Sequence, residues 1–164
     1  VERTIAFDPA TLRRAFGTFP TGVAAIAALV DGRPTGLAAS SFTSVSLDPP
    51  LVSVCIARTS STWPLLAGAP RLGVSVLAAA QDRHGRQLAA SGIDRFADLS
   101  WRATEDGAVR LDGAAAWFDT SVHRVVPAGD HDIVLLRVHE LDADHSASPL
   151  VFHGSRFRRL DVAS

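Results

Sequence analysis

Lysine, tyrosine and methionine are absent from this 164-residue chain, and cysteine occurs once. Each absence removes a chemistry. All 16 basic residues are arginine. Without a lysine amine there is no Schiff base, which excludes covalent pyridoxal-phosphate and aldolase-type imine catalysis. The P-loop, which needs a lysine, is excluded as well. No phenol is available as an acid or base. Cys55 alone cannot form an internal disulfide, so a reducing, cytoplasmic compartment is the expectation.

Long apolar runs are also missing. The longest, Val23 to Val30, is far short of the roughly 18 residues that span a bilayer, so no membrane association is expected. Glu2, Asp8 and Pro9 interrupt any signal-peptide pattern. The chain begins at Val1 without methionine, as expected where a leading segment is missing. Sixteen basic residues face 17 acidic ones, for a net charge of -1. No basic patch stands out, and nucleic acid is not an expected partner. G-x-G-x-x-G, G-x-S-x-G and H-E-x-x-H do not occur. His123, His139 and His153 lie in separate strand-like segments, so no metal site is expected.

The length predicts one domain over residues 1–164. Asp8-Pro9 suits a helix start, and Leu12, Ala15, Phe16 and Phe19 recur at helical spacing. Residues 22–30 read as a buried strand. Asp31-Gly32 follows, a strong hairpin signal, with a return strand from 33 to about 42. Asp48-Pro49-Pro50 breaks the pattern. Strands are predicted over 51–57 and 71–77, with a short helix around 63–66 between them. Residues 78–90 read as a helix with Gly85 as its weak point. A hairpin is predicted over 101–111, then a long pair over 114–126 and 131–141 joined by 127–130, and a last strand over 150–153. Many strands, short turns and few helices predict a mainly β fold, a β-barrel with peripheral helices.

Three segments carry candidate chemistry. Residues 35–46 are rich in Ser, Thr, Gly and Ala. Small residues admit a flat ligand close to the backbone, and hydroxyls and N–H groups suit its polar edge. An edge strand followed by a loop has the same composition. Arg58-Thr59-Ser60-Ser61-Thr62 joins a buried strand to a helix start, which suits a phosphate or a plain N-cap. Gly129-Asp130-His131 is a turn whose histidine faces either a ligand or solvent.

Taken in order, these segments resemble the short-chain flavin reductases that serve two-component flavin-dependent monooxygenases. The resemblance rests on Phe19-Pro20-Thr21-Gly22-Val23, Gly36 to Ser41, the run Ser41 to Val52, Cys55-Ile56, Ser60-Ser61-Thr62, Asp94-Arg95-Phe96, Gly129-Asp130-His131 and Pro149-Leu150-Val151-Phe152. It implies a split β-barrel, a homodimer, FMN or FAD as the flavin, and NADH or NADPH as hydride donor. A partner monooxygenase would receive the reduced flavin. Thr35, Ala38, Ala39, Ser40, Ser41, Val45 and Ser46 would lie along the ring and ribityl chain. Cys55, Ala57, Arg58, Ser60 and Thr62 would approach the phosphate. Asp94, Arg95 and Phe96 would lie by the phosphate or the outer flavin. Pro20, Thr21, Gly22, Gly129, Asp130 and His131 would border the nicotinamide, with His131 positioning it. Family members often carry Asn or Thr near Ala39 and Ser40, and Gly near Leu136, so this chain departs there. A pyridoxamine-phosphate-oxidase-like oxidase and a non-catalytic flavin- or haem-binding module are the alternatives.

Overall fold

The computed structural model describes residues 6–161. Glu2, on which the reading of the N-terminus partly rests, lies outside them. Helix α1 (Pro9–Phe16) begins as its sequence predicts. The Asp8 carboxylate accepts the Thr11 N–H at 3.1 Å, and Pro9 sits where no N–H is required. Its apolar spacing does not mark a buried face, however. Phe16 and Phe19 are 72% and 74% exposed.

The remaining elements are β1 (Thr21–Gly22), β2 (Ala24–Val30), β3 (Arg33–Ala39), β4 (Thr43–Leu47), β5 (Pro50–Ala57), α2 (Trp63–Ala67), β6 (Leu72–Val76) and α3 (Asp82–Ala89). Then come β7 (Trp101–Ala103), β8 (Val109–Leu111), β9 (Ala116–Ala128), β10 (His131–Ala143), β11 (Val151–His153) and β12 (Arg156–Arg158). Seven strands form one antiparallel sheet in the order β3-β2-β6-β9-β10-β5-β4, while β1-β11-β12 and β7-β8 form two small sheets.

Strand β2 explains why the fold is layered. Ala24, Ile26 and Ala28 point into one core with Val54, Leu72, Val74, Val134 and Leu136. Ala25 and Ala27, with Val23 before them, point into a second core with Leu77, Leu88, Phe96, Val109 and Leu150. A strand buried on both faces reads as an unbroken apolar run. The first core fills the barrel. The second lies between the barrel and its cover of α3, β7-β8 and β11-β12. Gly73 admits this cover, because a Cβ there would collide with the Val109 carbonyl.

Several boundaries differ from the predicted ones. The strand predicted over 22–30 divides at Val23, and its first part pairs with β11. The return strand ends at Ala39 rather than near 42. Strand β4 was not predicted, because its residues are Ser- and Thr-rich and it buries no face; Leu47 is 96% exposed. The helix predicted over 78–90 is a 3₁₀ turn (Ala79–Gln81) followed by α3. Gly85 is not its weak point, since it lets Phe157 pack closely, 3.1 Å from where a Cβ would stand. The turn between β9 and β10 shrinks to Gly129-Asp130, and Pro127 lies within β9 opposite Asp132. A proline is accommodated there because β6 flanks β9 only as far as Thr120. Among the described residues no helix is long and apolar enough to cross a membrane.

Candidate functional site

The curled sheet does not close. β3 and β4 are its two ends, and the chain between them crosses to β5 at Ser41. A groove of about 380 Å³ opens along this split, lined by Leu37 to Ser41 on one side and Cys55 to Ala57 on the other. Leu88 and Ala89 of α3, Ser60, Arg95 and His131 complete its wall.

Strand pairing decides which backbone groups face the groove. Val30 and Arg33 flank the two-residue turn Asp31-Gly32, whose φ values of 51° and 74° are those of a type I′ hairpin. Arg33, Thr35, Leu37 and Ala39 therefore bond to β2, while Pro34, Gly36 and Ala38 turn their backbone groups to the open edge. Pro34 sits where no N–H is needed. The Gly36 carbonyl accepts from Arg95 at 3.0 Å. The Ala38 N–H points across the split without a ladder partner. On the facing edge, β4 pairs with β5 only as far as Ser53. Cys55 lies beyond that pairing, and the Ser41 hydroxyl takes the missing strand's place, accepting the Cys55 N–H at 2.8 Å and donating to its carbonyl at 3.2 Å. Two residues on, the Ala57 carbonyl is taken by the Ser60 N–H at 2.9 Å, which leaves the Ala57 N–H facing the groove.

Arg95 closes one end. Its Nε donates to the Ala90 carbonyl at 2.7 Å, and Nη1 donates to the Gly36 carbonyl and the Thr62 hydroxyl, each at 3.0 Å. No carboxylate pairs with it among the described residues, so its charge is uncompensated. Ser60 Oγ accepts the Trp63 N–H at 3.1 Å. Ser60 and Thr62 thus both accept from the protein, and both keep a hydroxyl proton to give. An uncompensated guanidinium beside two such hydroxyls is a donor set for a phosphate.

His131 also lines the groove, opposite Ala57 at the start of β10. Its Nδ1 lies 2.7 Å from Asp130 Oδ1. That hydrogen bond, and the imidazole's charge when protonated, hold the Asp130 carboxyl below its ordinary value. Gly129, at φ 68°, makes the turn that presents this pair. Arg58 bonds Asp132 at 3.1 Å, and its charge is thereby partly spent. Asp94 Oδ1 accepts the Phe96 N–H at 3.0 Å, fixing the loop that carries Arg95, and Phe96 is buried beneath.

Most predicted site residues therefore meet. Ala38, Ala39, Ser40, Ser41, Cys55, Ala57, Ser60, Arg95 and His131 line one groove. Thr35, Thr62, Asp94 and Phe96 line an adjoining one of about 340 Å³. Others do not join them. Val45 and Ser46 lie on β4 and line neither groove. Thr21 and Gly22 pair with β11, and Pro20 lines a separate hollow with Val151 and His153. Leu88 and Ala89 were not predicted, since they read as ordinary helix-core residues.

The groove fits a flavin mononucleotide unit. Alanines and a serine admit a flat ring, the Ala38 and Ala57 N–H groups can bond its carbonyl edge, and Arg95 with Ser60 and Thr62 can hold the phosphate.

Comparison with known proteins agrees. Residues 16–161 match the flavin reductase like domain family. The chain is 40% identical over 149 residues to a flavin reductase of Pseudomonas putida, covering 90% of this chain and 88% of that one. It is 44% identical over 133 residues to a probable flavin reductase of Rhizobium meliloti, covering 80% of this chain but only 43% of the longer relative. Further relatives are reductase components of flavin-dependent monooxygenases, and others are an NADH-dependent FAD reductase and an NADH:FMN oxidoreductase. The solved structure of a Streptomyces globisporus NADH:FAD oxidoreductase in complex with NAD and FAD fragments superposes with a TM-score of 0.88 at 37% identity, covering 96% of this chain and 98% of that one. The chain belongs to the flavin reductase-like domain family, with the split-barrel fold of flavin reductases.

Proposed function

We propose that this chain is an NADH-dependent flavin reductase that reduces FMN or FAD in the groove at the barrel split and passes the product to a flavin-dependent monooxygenase. The observation that carries the reading is the pair of sheet edges facing each other across the groove, with uncompensated Arg95 at its end. The flavin supplies the electron acceptor when bound. The chain supplies placement, which suits a sequence without lysine or tyrosine. Ser60, Thr62 and Arg95 hold the phosphate end. The Ala38 and Ala57 N–H groups face the ring's polar edge, where negative charge develops on reduction. Leu37, Ile56 and Leu88 exclude water from one side. His131 orients the nicotinamide and, held through Nδ1, presents Nε2. The test is NADH and NADPH oxidation, followed at the reduced-nicotinamide absorbance band, with and without FMN, FAD and riboflavin. A rate no higher than that of free flavin overturns the reading.

The same proposal takes residues 1–164 as one catalytic unit, in the cytoplasm, acting as a homodimer. Two observations support the dimer. Leu47 stands exposed on the unpaired edge of β4, and Phe16 at the end of α1 and Phe19 just beyond it stand exposed as well. The chain's accessible surface is 10277 Å². A monomer of 17.3 kDa is expected to expose about 7,800 Å². Light scattering should give twice the chain mass; a single-chain mass with full activity overturns the dimer.

A further inference from the structure

We infer that a small apolar hollow adjoining the split groove binds a neutral monocyclic aromatic molecule alongside the flavin, and that filling it changes flavin affinity. The coupling rests on the flavin-reductase reading above; the hollow itself does not. Val23, Gly85, Phe152 and Phe157 line the hollow and not the groove. Ala38 to Ser40 and Ala89 line both. The hollow thus lies at the margin of the second core, between β3, α3 and the β11-β12 hairpin.

Its size and lining define the ligand. The volume is about 140 Å³. An apolar cavity of about 150 Å³ holds one benzene ring. No ionisable side chain lines it, and the Ser40 hydroxyl is its one polar side-chain group. A charged ligand would lose water there without gaining a partner. Phe152 and Phe157 meet edge to face, with centroids 5.6 Å apart and planes at 60°. A third ring beside them extends that packing. The alanines are too short to fill the space. Phe157 is itself held in place, with the Arg86 guanidinium 5.1 Å from its centroid and Gly85 in close contact. A phenol-sized ring fits, with its hydroxyl toward Ser40. Because Ala38 to Ser40 belong to both sites, occupancy of one biases the other, and the bias is reciprocal.

The test uses 4-fluorophenol, followed by fluorine NMR on the flavin-free and the FMN-saturated protein. Binding should be saturable in both, with a Kd of about 0.1–1 mM. Saturating 4-fluorophenol should change the Kd of FMN by about three- to tenfold and then no further, the mark of a coupled ligand rather than a competing one. Benzoate, similar in size but charged, should bind about tenfold more weakly or worse. Val23→Leu adds a methylene group to the hollow and should weaken 4-fluorophenol about tenfold, with FMN affinity within about twofold of wild type, which also reports intact folding. Phe157→Leu enlarges the hollow and should shift preference from phenol toward 2-naphthol, a gain that loss of packing alone does not give. Simple competition with riboflavin overturns the inference, because it gives the hollow to the flavin's own ring. Simple competition with NADH overturns it in favour of the nicotinamide. Absence of binding, or an FMN affinity that does not respond, overturns it as well and leaves the reductase reading standing. If no flavin binds and none accelerates NADH oxidation, the reductase reading itself falls and the coupling with it.

Discussion

The Ser41 hydroxyl bonds both backbone groups of Cys55, accepting the N–H at 2.8 Å and donating to the carbonyl at 3.2 Å. One side chain thereby does what a neighbouring strand does elsewhere in the sheet. It ties the two ends of an unclosed barrel at the rim of the groove. Ser41→Ala should cost about 1–2 kcal/mol of stability, as expected for two hydrogen bonds at a partly solvated site. It should also weaken flavin binding by letting the rims part. Ser41→Thr should restore most of both. Urea unfolding together with flavin titration separates the effects, and an unchanged midpoint in Ser41→Ala would remove the tie.

The phosphate end is tested by comparing ligands. Ser60→Ala with Thr62→Ala should weaken FMN and FAD far more than riboflavin, because riboflavin has no phosphate. Each hydrogen bond lost to a charged group is worth about 1.5–3 kcal/mol. Arg95→Ala should show the same ranking. It also strips a donor from the Gly36 and Ala90 carbonyls, so some stability falls with it. Equal weakening of all three flavins by the double variant would place the phosphate elsewhere.

How much of this was legible in the sequence depends on the range of the interaction. Asp31-Gly32 announces its hairpin locally, and the pairing that follows fixes which β3 amides face the groove. Strand β4 was hidden because Thr43, Ser44 and Ser46 lack the alternation that burial on one face imposes. The Arg95 clamp was hidden for another reason. Its acceptors at 36, 62 and 90 are brought together only by the fold, and the triplet Asp94-Arg95-Phe96 carries no local sign of them. Family resemblance named many residues that the fold brings to these two adjoining grooves. It also implied Val45 and Ser46 along the flavin and Pro20, Thr21 and Gly22 beside the nicotinamide, and these line neither groove in the single chain.

The double core makes a stability prediction. Gly73 of β6 lies under the Val109 backbone of β8, and a methyl group there would overlap the carbonyl oxygen. Backbone cannot yield as a flexible side chain would. Gly73→Ala should therefore destabilise the fold by about 3 kcal/mol. Gly92→Ala meets open space and should cost far less, limited to the strain of its φ of 73°. Denaturant midpoints for the two variants check the ranking.

His84 gives a pH dependence. Burial, and then the nearby Arg83 charge, lower its pKa from the ordinary 6.5, with Asp82 opposing, and Nδ1 has no protein partner among the described residues. The folded state thus holds fewer protons at this site than the unfolded state. Stability is full above pH 6.5 and falls as the pH drops through the lowered value. His84→Gln should flatten this acid-side slope. Unfolding midpoints at about pH 8 and about pH 5.5, in wild type and variant, provide the check. His139 is lowered in the same direction by burial, so a residual slope should remain in the variant.

His131 allows the sharpest division between placement and chemistry. Its Nδ1 is tied to the Asp130 carboxylate at 2.7 Å, and that carboxyl is held below its ordinary value by the bond. An ionised carboxylate accepts, so Nδ1 carries the proton and Nε2 is left as an acceptor in the neutral ring. Hydride transfer needs no proton from this residue, because both electrons travel with the hydride. His131→Ala should therefore raise the KM for NADH by about five- to thirtyfold, the size of one lost polar contact of about 1–2 kcal/mol, and leave flavin affinity nearly unchanged. His131→Asn keeps a donor and an acceptor and should recover part of the loss. In His131→Ala the Asp130 carboxyl should also titrate closer to the ordinary aspartate value, which carbon-detected NMR of that side chain reads directly. A collapse of kcat with NADH binding intact would instead assign His131 a direct chemical role. If KM, kcat and the Asp130 titration all stay put, the pair is a surface turn and the nicotinamide is positioned by other groups.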